Sequence, residues 1–328
     1  MPSANHRHGV AILGGAGYIG THIAHHLHQL GVDIQIYDDL STGHYSMISS
    51  LPFVEGSITD HGQLKDFLEA GRFDTVIHLA AKSIVSESAH DSALYRTVNV
   101  TGTENIVDAM IATGVTKLIF SSSAAVYGIP ERLPIDETHI LNPINVYGET
   151  KLHAERAIAS AAERGLIDAI IFRYFNAAGA EPSFRTPERH NPETHLIPNL
   201  LNNIRLGHNS ATIYGSNYST PDGTAIRDYV HVMDIADAHA RALDFLSRNT
   251  GLHTLNLGTT TGFSVLEVVS AAEDTLGTTL TRRYEDPRLG DPPYLVATSR
   301  SAAETINWLP RRSSLRQIIL DAWQATWH

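Results

Sequence analysis

Tyr147 and Lys151 stand four residues apart in the stretch NVYGETKLHAER, residues 145–156. On a helix that spacing brings both side chains to one face. A tyrosine alone is a poor base at neutral pH, because its phenol ionises near pH 10. A lysine one turn away stabilises the phenolate and draws that value towards the working range, so the pair could move a proton to and from a bound hydroxyl. The same spacing suits an ordinary amphipathic helix with a tyrosine near its start, so context has to decide. Lysine is scarce: Lys65, Lys82, Lys117 and Lys151 are set against 12 tyrosines. Upstream, Ser121-Ser122-Ser123 closes an apolar run. A strand-end hydroxyl such as that of Ser123 can hydrogen-bond a reacting oxygen.

A second chemical signal lies near the start. GVAILGGAGYIG places Gly14, Gly17 and Gly20 as G-x-x-G-x-x-G between a β-branched run and a helical pattern. A tight turn and a close backbone approach need residues without a Cβ, and a helix amino terminus favours pyrophosphate charge. Asp38 ends the second predicted strand, where a carboxylate can accept hydrogen bonds from an adenosine ribose diol and repel a 2′-phosphate. No arginine adjoins Asp38-Asp39. The expected cofactor is therefore NAD rather than NADP.

The elements that must position these groups alternate. Strands are expected at 10–13, 33–37, 75–79, 117–121 and 169–173, with helices at 18–30, 63–70, 92–113 and 146–164. Such alternation implies right-handed βαβ crossovers and an α/β fold: a Rossmann-type doubly wound parallel sheet. Beyond residue 176 Pro182, Pro187, Pro192 and Pro198 punctuate an irregular stretch, and helices follow at 234–247 and 265–276. The expected organisation is a dinucleotide-binding domain over 1–176 that carries the catalytic residues, and a smaller α/β substrate lobe over 177–328. Some of the second part is expected to cross back to the first.

Composition narrows the partners. At 328 residues, 42% hydrophobic and 18% charged, the chain can bury a sizeable core. A formal net charge of −11 lacks the basic stripe that nucleic-acid phosphates need. The absence of cysteine excludes disulfides, thiolate catalysis and zinc–thiolate sites. No apolar run approaches membrane-spanning length and the first residues lack an apolar leader pattern, so neither a membrane nor an export route is expected and the cytoplasm is the default. The 19 histidines raise the question of a metal. His22 and His26 have helical spacing, but no carboxylate sits among them, and THIAHHLHQLG reads better as a helix with Ile23 and Leu27 buried and the histidines solvated. No metal is expected.

The glycine spacing, the Tyr147/Lys151 pair and the serines ahead of it resemble the extended short-chain dehydrogenase/reductase family. Further blocks are similar to its nucleotide-sugar 4-epimerases: YDDLSTG (37–43), VIHLAAKSIVSES (76–88), NVTGTENI (99–106), FSSSAAVYG (120–128), RYFNAAGA (173–180), GTAIRDYVHVMDIADAH (223–239) and NLGTTTGFSVLEV (256–268). The likeness runs from about residue 10 to the carboxyl terminus. It implies interconversion of UDP-galactose and UDP-glucose through a transient 4-keto sugar, with NAD held by the enzyme. Tyr147 would be the base, Lys151 would hold the nicotinamide ribose, and Ser123 would orient the sugar 4-hydroxyl. The resemblance further assigns Tyr18, Ile19, Asp39, Ser57, Ile58, Leu79, Ala80, Ala81, Lys82, Asn99, Ser121 and Tyr174 to the cofactor, with Tyr174 also bordering the sugar. Asn176, His195, Leu196 and Tyr229 would contact the UDP-sugar, Ile213 and Tyr214 would lie beside the uracil, Arg227 and Arg288 would clamp the diphosphate, and Asp291 would meet the uridine ribose. A homodimer through the helices at 92–113 and 146–164 is also implied.

Some positions depart from the pattern. Ser57 stands where the family usually has an aspartate reaching the adenine, and Thr298 stands where an aspartate is common. Lys82 is shifted by one position from the lysine of some relatives, and Leu295 occupies a position that gates the pocket at sugar C2. The related 4,6-dehydratases place an acidic pair just after the strand-end hydroxyl residue; here those places hold Ala124 and Ala125, which cannot shuttle protons. Epimerisation of an N-acetylated or uronic UDP-sugar, decarboxylation of UDP-glucuronate, and a non-catalytic NAD-sensing role are the alternatives left by the sequence.

Overall fold

The computed structural model describes residues 9–288 and 291–325. Residues 1–8, read above for a leader, lie outside the described residues. Seven parallel strands form the central sheet in the order β10-β6-β5-β4-β1-β2-β3. They are β1 (Gly9–Leu13), β2 (Ile34–Asp38), β3 (Phe53–Glu55), β4 (Phe73–His78), β5 (Lys117–Ser123), β6 (Asp168–Tyr174) and β10 (Leu252–Leu257). Strand order reverses between β1 and β4, and in such sheets ligands bind beyond the carboxyl ends of the strands at this point.

Both faces of the sheet are covered, which is why its strands read as continuous apolar runs rather than alternating ones. On one face helix Tyr18–Gln29 packs against helix Val232–Leu246, burying Ile23, Leu27, Ile235 and Leu246 around Ile12 and Ile36. On the other, helices His61–Gly71, Gly102–Thr113 and Val146–Glu163 bury Leu64, Phe67, Ile106, Met110 and Ile158. A third core around Ile197, Leu200, Tyr229, Val268 and Ile318 supports the smaller lobe. There β9 (Ile226–His231) pairs with β7 (Asn176–Ala178), β11 (Gly262–Ser264) and β13 (Tyr294–Leu295), and β8 (Ser210–Tyr214) pairs with β12 (Thr281–Glu285). The second half of the chain thus supplies both an edge strand, β10, and a covering helix, Val232–Leu246, to the main sheet.

Two expectations are modified. The helical run expected at 92–113 is helix Ser92–Arg96, a π turn over Thr97–Thr101, and helix Gly102–Thr113. Within the π turn Asn99 is buried, its Oδ1 accepting from the Lys82 amide (2.8 Å) and its Nδ2 donating to the Lys82 carbonyl (3.0 Å) and the Thr150 hydroxyl (3.0 Å). Such insertions in a helix often serve a site next to it. The histidines of helix Tyr18–Gln29 are also not uniformly solvated. His22 is fully buried, with Nδ1 at 2.8 Å from the Tyr18 carbonyl and Nε2 accepting from the Glu181 amide at 3.2 Å. Burial lowers its pKa to about 4, so it packs as a neutral ring and fastens the helix to the second lobe.

Candidate active site

A single cleft of about 1460 Å³ opens where the carboxyl ends of β1, β2, β4, β5 and β6 face the smaller lobe. Pockets for one small ligand are typically about 300–1,000 Å³, so this volume accommodates two sizeable molecules side by side.

At one end lies the glycine turn. Gly14 has φ of +83°, and a Cβ there would sit 2.4 Å from the Ala80 amide nitrogen. A Cβ on Gly20 would sit 2.3 Å from the Gly14 carbonyl oxygen. The protein itself therefore demands glycine at both positions. Gly17 differs: its φ is −75°, and a Cβ would meet only the Gly14 oxygen, at 3.6 Å. Gly17 lines the cleft at the amino end of helix Tyr18–Gln29, so what its missing side chain clears is ligand space. Asp38 reaches this turn from β2, its carboxylate accepting from the amides of Ala16 (2.9 Å) and Leu40 (2.8 Å). Burial raises its pKa and these two bonds oppose the shift. The carboxylate is thereby held on the cleft wall, with lone pairs left for a ribose diol.

The middle of the cleft is built on β5 and helix Val146–Glu163. Asn145 caps the helix, accepting from the Gly148 amide at 2.8 Å, which puts Tyr147 in its first turn. Helix amino ends carry partial positive charge, and that favours a phenolate. Lys151, one turn on, donates to the Ser121 carbonyl at 2.8 Å, and its ammonium lies 6.0 Å from the centre of the Tyr147 ring. The three consecutive serines divide their work by strand alternation. The Ser121 carbonyl holds Lys151, and the Ser122 hydroxyl bonds the Glu155 carboxylate on the covered face. The Ser123 hydroxyl faces the cleft within hydrogen-bonding reach of Tyr147 while accepting from the Ala125 amide at 3.2 Å. Burial raises the Tyr147 pKa, the Ser123 bond opposing, and burial pulls Lys151 down to about 7 despite Glu155. Positive charge on a ligand beside the ring would draw the Tyr147 pKa down, and the phenolate so formed would raise that of Lys151.

The far end belongs to the smaller lobe. Arg227 on β9 pairs with Asp291 and donates to the Ile226 carbonyl at 2.8 Å. The adjacent Asp228 points elsewhere, accepting from Thr259 and from the Ala297 amide, so it is not the partner that would make Arg227 an ordinary surface pair. Arg288 stacks on Tyr214 at 4.4 Å and donates to the Thr194 carbonyl at 3.3 Å. Both guanidiniums line the cleft, as do Asn176, His195, Leu196, Tyr229 and Leu295.

Three residues expected at the ligands do not line the cleft. Ser57 donates to Asp39 at 3.2 Å, Asn99 clamps the Lys82 backbone, and Ile213 is fully buried because strand alternation turns Thr212 and Tyr214 to the cleft. Tyr174 lines the cleft, but its hydroxyl bonds His239 at 2.8 Å. Thr298 accepts from the Arg300 amide at 3.3 Å near the start of helix Arg300–Ile306. The wall segment Glu188, His190 and Glu193 was not expected at the cleft. Its signal was the E-x-H-x-x-E-x-H spacing that ends at His195.

Comparisons with known proteins identify the family. The model of the NAD dependent epimerase/dehydratase family matches residues 10–258. A UDP-glucose 4-epimerase of Lactobacillus helveticus is 41% identical over 320 residues, 97% of this chain and 96% of that protein. The crystal structure of UDP-glucose 4-epimerase from Brucella ovis in complex with NAD superposes with a TM-score of 0.92 at 42% identity, covering 96% of this chain and 97% of that one. A Stenotrophomonas maltophila UDP-glucose 4-epimerase with bound NAD and formylated UDP-arabinopyranose gives 0.93 at 34% identity, covering 97% of both chains. With the family model spanning most of the chain and close relatives matching end to end, the chain belongs to the NAD dependent epimerase/dehydratase family.

Proposed function

We propose that the chain inverts the configuration at C4 of a UDP-sugar, interconverting UDP-galactose and UDP-glucose through a 4-keto sugar, with NAD as its resident cofactor. One observation carries the reading: a dinucleotide cradle, a Tyr147/Lys151/Ser123 centre and two cleft arginines share a single cavity large enough for both ligands. The curated relative and the two solved structures bear the corresponding activity in their names. The cradle fits the cofactor, since a Cβ at Gly17 would meet only the Gly14 oxygen and Asp38 is held nearby by the Ala16 amide. NAD supplies there an acceptor, and then a donor, for the C4 hydride. Lys151 and the helix amino end stabilise the Tyr147 phenolate, which takes the proton of the 4-hydroxyl as Ser123 holds that oxygen. Arg227 and Arg288 retain the diphosphate by charge-assisted bonds while the keto sugar turns its other face, and Tyr147 then returns the proton. Ala124 and Ala125 follow Ser123, so no acid or base is placed there to eliminate water.

The proposal includes a homodimer in the cytoplasm. Exposed Leu94 and Ile111, on the helices expected to pair, support the dimer. Among the described residues no helix is long and apolar enough to cross a membrane. The test is to incubate purified protein separately with UDP-galactose, UDP-N-acetylgalactosamine and UDP-glucuronate and identify the products. UDP-glucose from UDP-galactose is expected; its absence, with clean turnover of another sugar, overturns the assignment. A monomer by light scattering at micromolar concentration overturns the dimer.

A further inference from the structure

The segment between the short 3-10 turn Pro182–Phe184 and helix Leu196–Arg205 has no regular structure, yet it gathers four metal-type donors on the cleft wall. One ligand atom from each of Glu188, His190, Glu193 and His195 lies within 4.8 Å of all the others. The pairwise spacings are informative. His195 Nδ1 is 2.9 Å from Glu188 Oε1 and 3.3 Å from Glu193 Oε1, and His190 Nδ1 is 3.3 Å from Glu193 Oε2 and 3.7 Å from Glu188 Oε1. Zinc bonds imidazole nitrogen and carboxylate oxygen at about 2.0–2.2 Å, and a tetrahedron with such bonds has edges of about 3.3–3.6 Å. The four histidine–glutamate spacings, in which Glu193 presents Oε1 to His195 and Oε2 to His190, lie around that edge length. The two imidazole rings meet edge-on, at 63° with centroids 4.8 Å apart, so both Nδ1 atoms can address one point without stacking.

Charge and outer contacts fit as well. Two carboxylates and two imidazoles in the neutral form that binds metal would together balance a divalent cation, and this is a common ligand chemistry for zinc. The carboxylates are mostly withdrawn from solvent, with side-chain exposures of 8% for Glu188 and 11% for Glu193. Glu193 is oriented by the amides of His190 (3.2 Å), Thr194 (2.9 Å) and His195 (2.9 Å), the outer-shell bonding that metal carboxylates typically show. These four residues do not enter the proton-transfer chemistry above, apart from His195 as a sugar contact.

We propose that Glu188, His190, Glu193 and His195 form a tetrahedral site for a divalent transition metal, zinc being the best match, which pins this irregular wall of the cleft. The site adjoins the nucleotide clamp, since Arg288 donates to the Thr194 carbonyl within the same segment. The competing reading is an ion-pair network in which protonated histidines fill the metal's place.

The test uses the full-length protein without an affinity tag, dialysed against a chelator and titrated with zinc chloride by calorimetry and thermal unfolding. One equivalent bound at micromolar or tighter affinity, with a raised unfolding temperature, is expected. Glu188→Gln and His190→Asn should each weaken binding by about 10–100-fold or more, while His26→Asn, on the histidine-rich helix, should leave it unchanged. The absence of a saturable equivalent, or parental affinity in His190→Asn, overturns the site. Cobalt(II) added to the unmutated protein gives an independent reading. The intense visible absorption of tetrahedral cobalt supports the site, and a weak octahedral spectrum overturns it whether or not the variants fold.

Discussion

Glu155 and Arg173 form a bidentate ion pair beneath the cleft, with Arg173 Nε 3.0 Å from Oε1 and Nη2 2.7 Å from Oε2 of the carboxylate. Both side chains are almost wholly buried, at 6% and 5% exposure, and the remaining valences go to Ser122 and to the Tyr127 hydroxyl at 3.0 Å. The pair fixes the roll of helix Val146–Glu163 against β5 and β6, and so the direction in which Tyr147 and Lys151 point. Removing one partner strands a charge, which typically costs about 3–5 kcal/mol. Glu155→Ala should lose stability on that scale in urea unfolding; a loss below about 1 kcal/mol would mean that the guanidinium finds water or another partner.

Lys151 is expected to burden the fold until ligands arrive. Its pKa is pulled to about 7 by burial, whereas in the unfolded chain it titrates near 10.4. Between those values the unfolded chain binds more protons. The cost is therefore full below about pH 7 and fades as pH rises towards 10. With dinucleotide removed, Lys151→Met should be more stable than the parent by about 1–3 kcal/mol near pH 7, because an unpaired buried cation is gone. The gap should close near pH 10. A gap that grows with pH contradicts the sign.

Gly17 separates what the fold requires from what the ligand requires. Because its Cβ position is open and its φ ordinary, Gly17→Ala should fold with an unfolding temperature close to the parent's. Calorimetry should find NAD affinity reduced by about 10-fold or more, the loss of roughly 1.4 kcal/mol or more expected when a methyl displaces a phosphate from helix amides. Undiminished NAD binding would move the pyrophosphate elsewhere.

Tyr147→Phe removes one hydroxyl and leaves the ring packing intact. Loss of a positioned base typically costs about 10²–10⁴ in rate. Turnover should fall on that scale while UDP affinity stays within a few-fold, since Arg227 and Arg288 are untouched. A rate within a few-fold of the parent would assign the base to another residue.

Leu295 tests the sugar pocket. It lines the cleft on β13, paired in register with Arg227. Truncation to alanine should open room near the sugar and raise kcat/KM for UDP-N-acetylgalactosamine relative to UDP-galactose by about 10-fold, the scale of one or two methylenes in a pocket. An unchanged ratio would place the selectivity on other walls.

The parts of this site that were legible in the sequence are those determined by local conformation. A left-handed turn after a strand needs Gly14, a four-residue interval fixes Tyr147 against Lys151, and an apolar run ending in hydroxyls puts Ser123 at a strand end. Each depends on neighbours within a few residues. Tertiary structure decided which face of an element meets the cleft. Ser57, Asn99 and Ile213 stand next to cleft-lining neighbours but do not line the cleft themselves, and His22 points inward because a loop 159 residues later places the Glu181 amide against its ring. The same holds for β10, which completes the sheet by pairing with β6, Leu252 opposite Ala169. It holds too for the donors at 188–195, whose spacing in the chain says little until an irregular segment folds them to within 4.8 Å. Periodicity and turn chemistry are written residue by residue, whereas long-range register and loop closure follow from burying the two sheet faces together. That burial is a property of the whole chain.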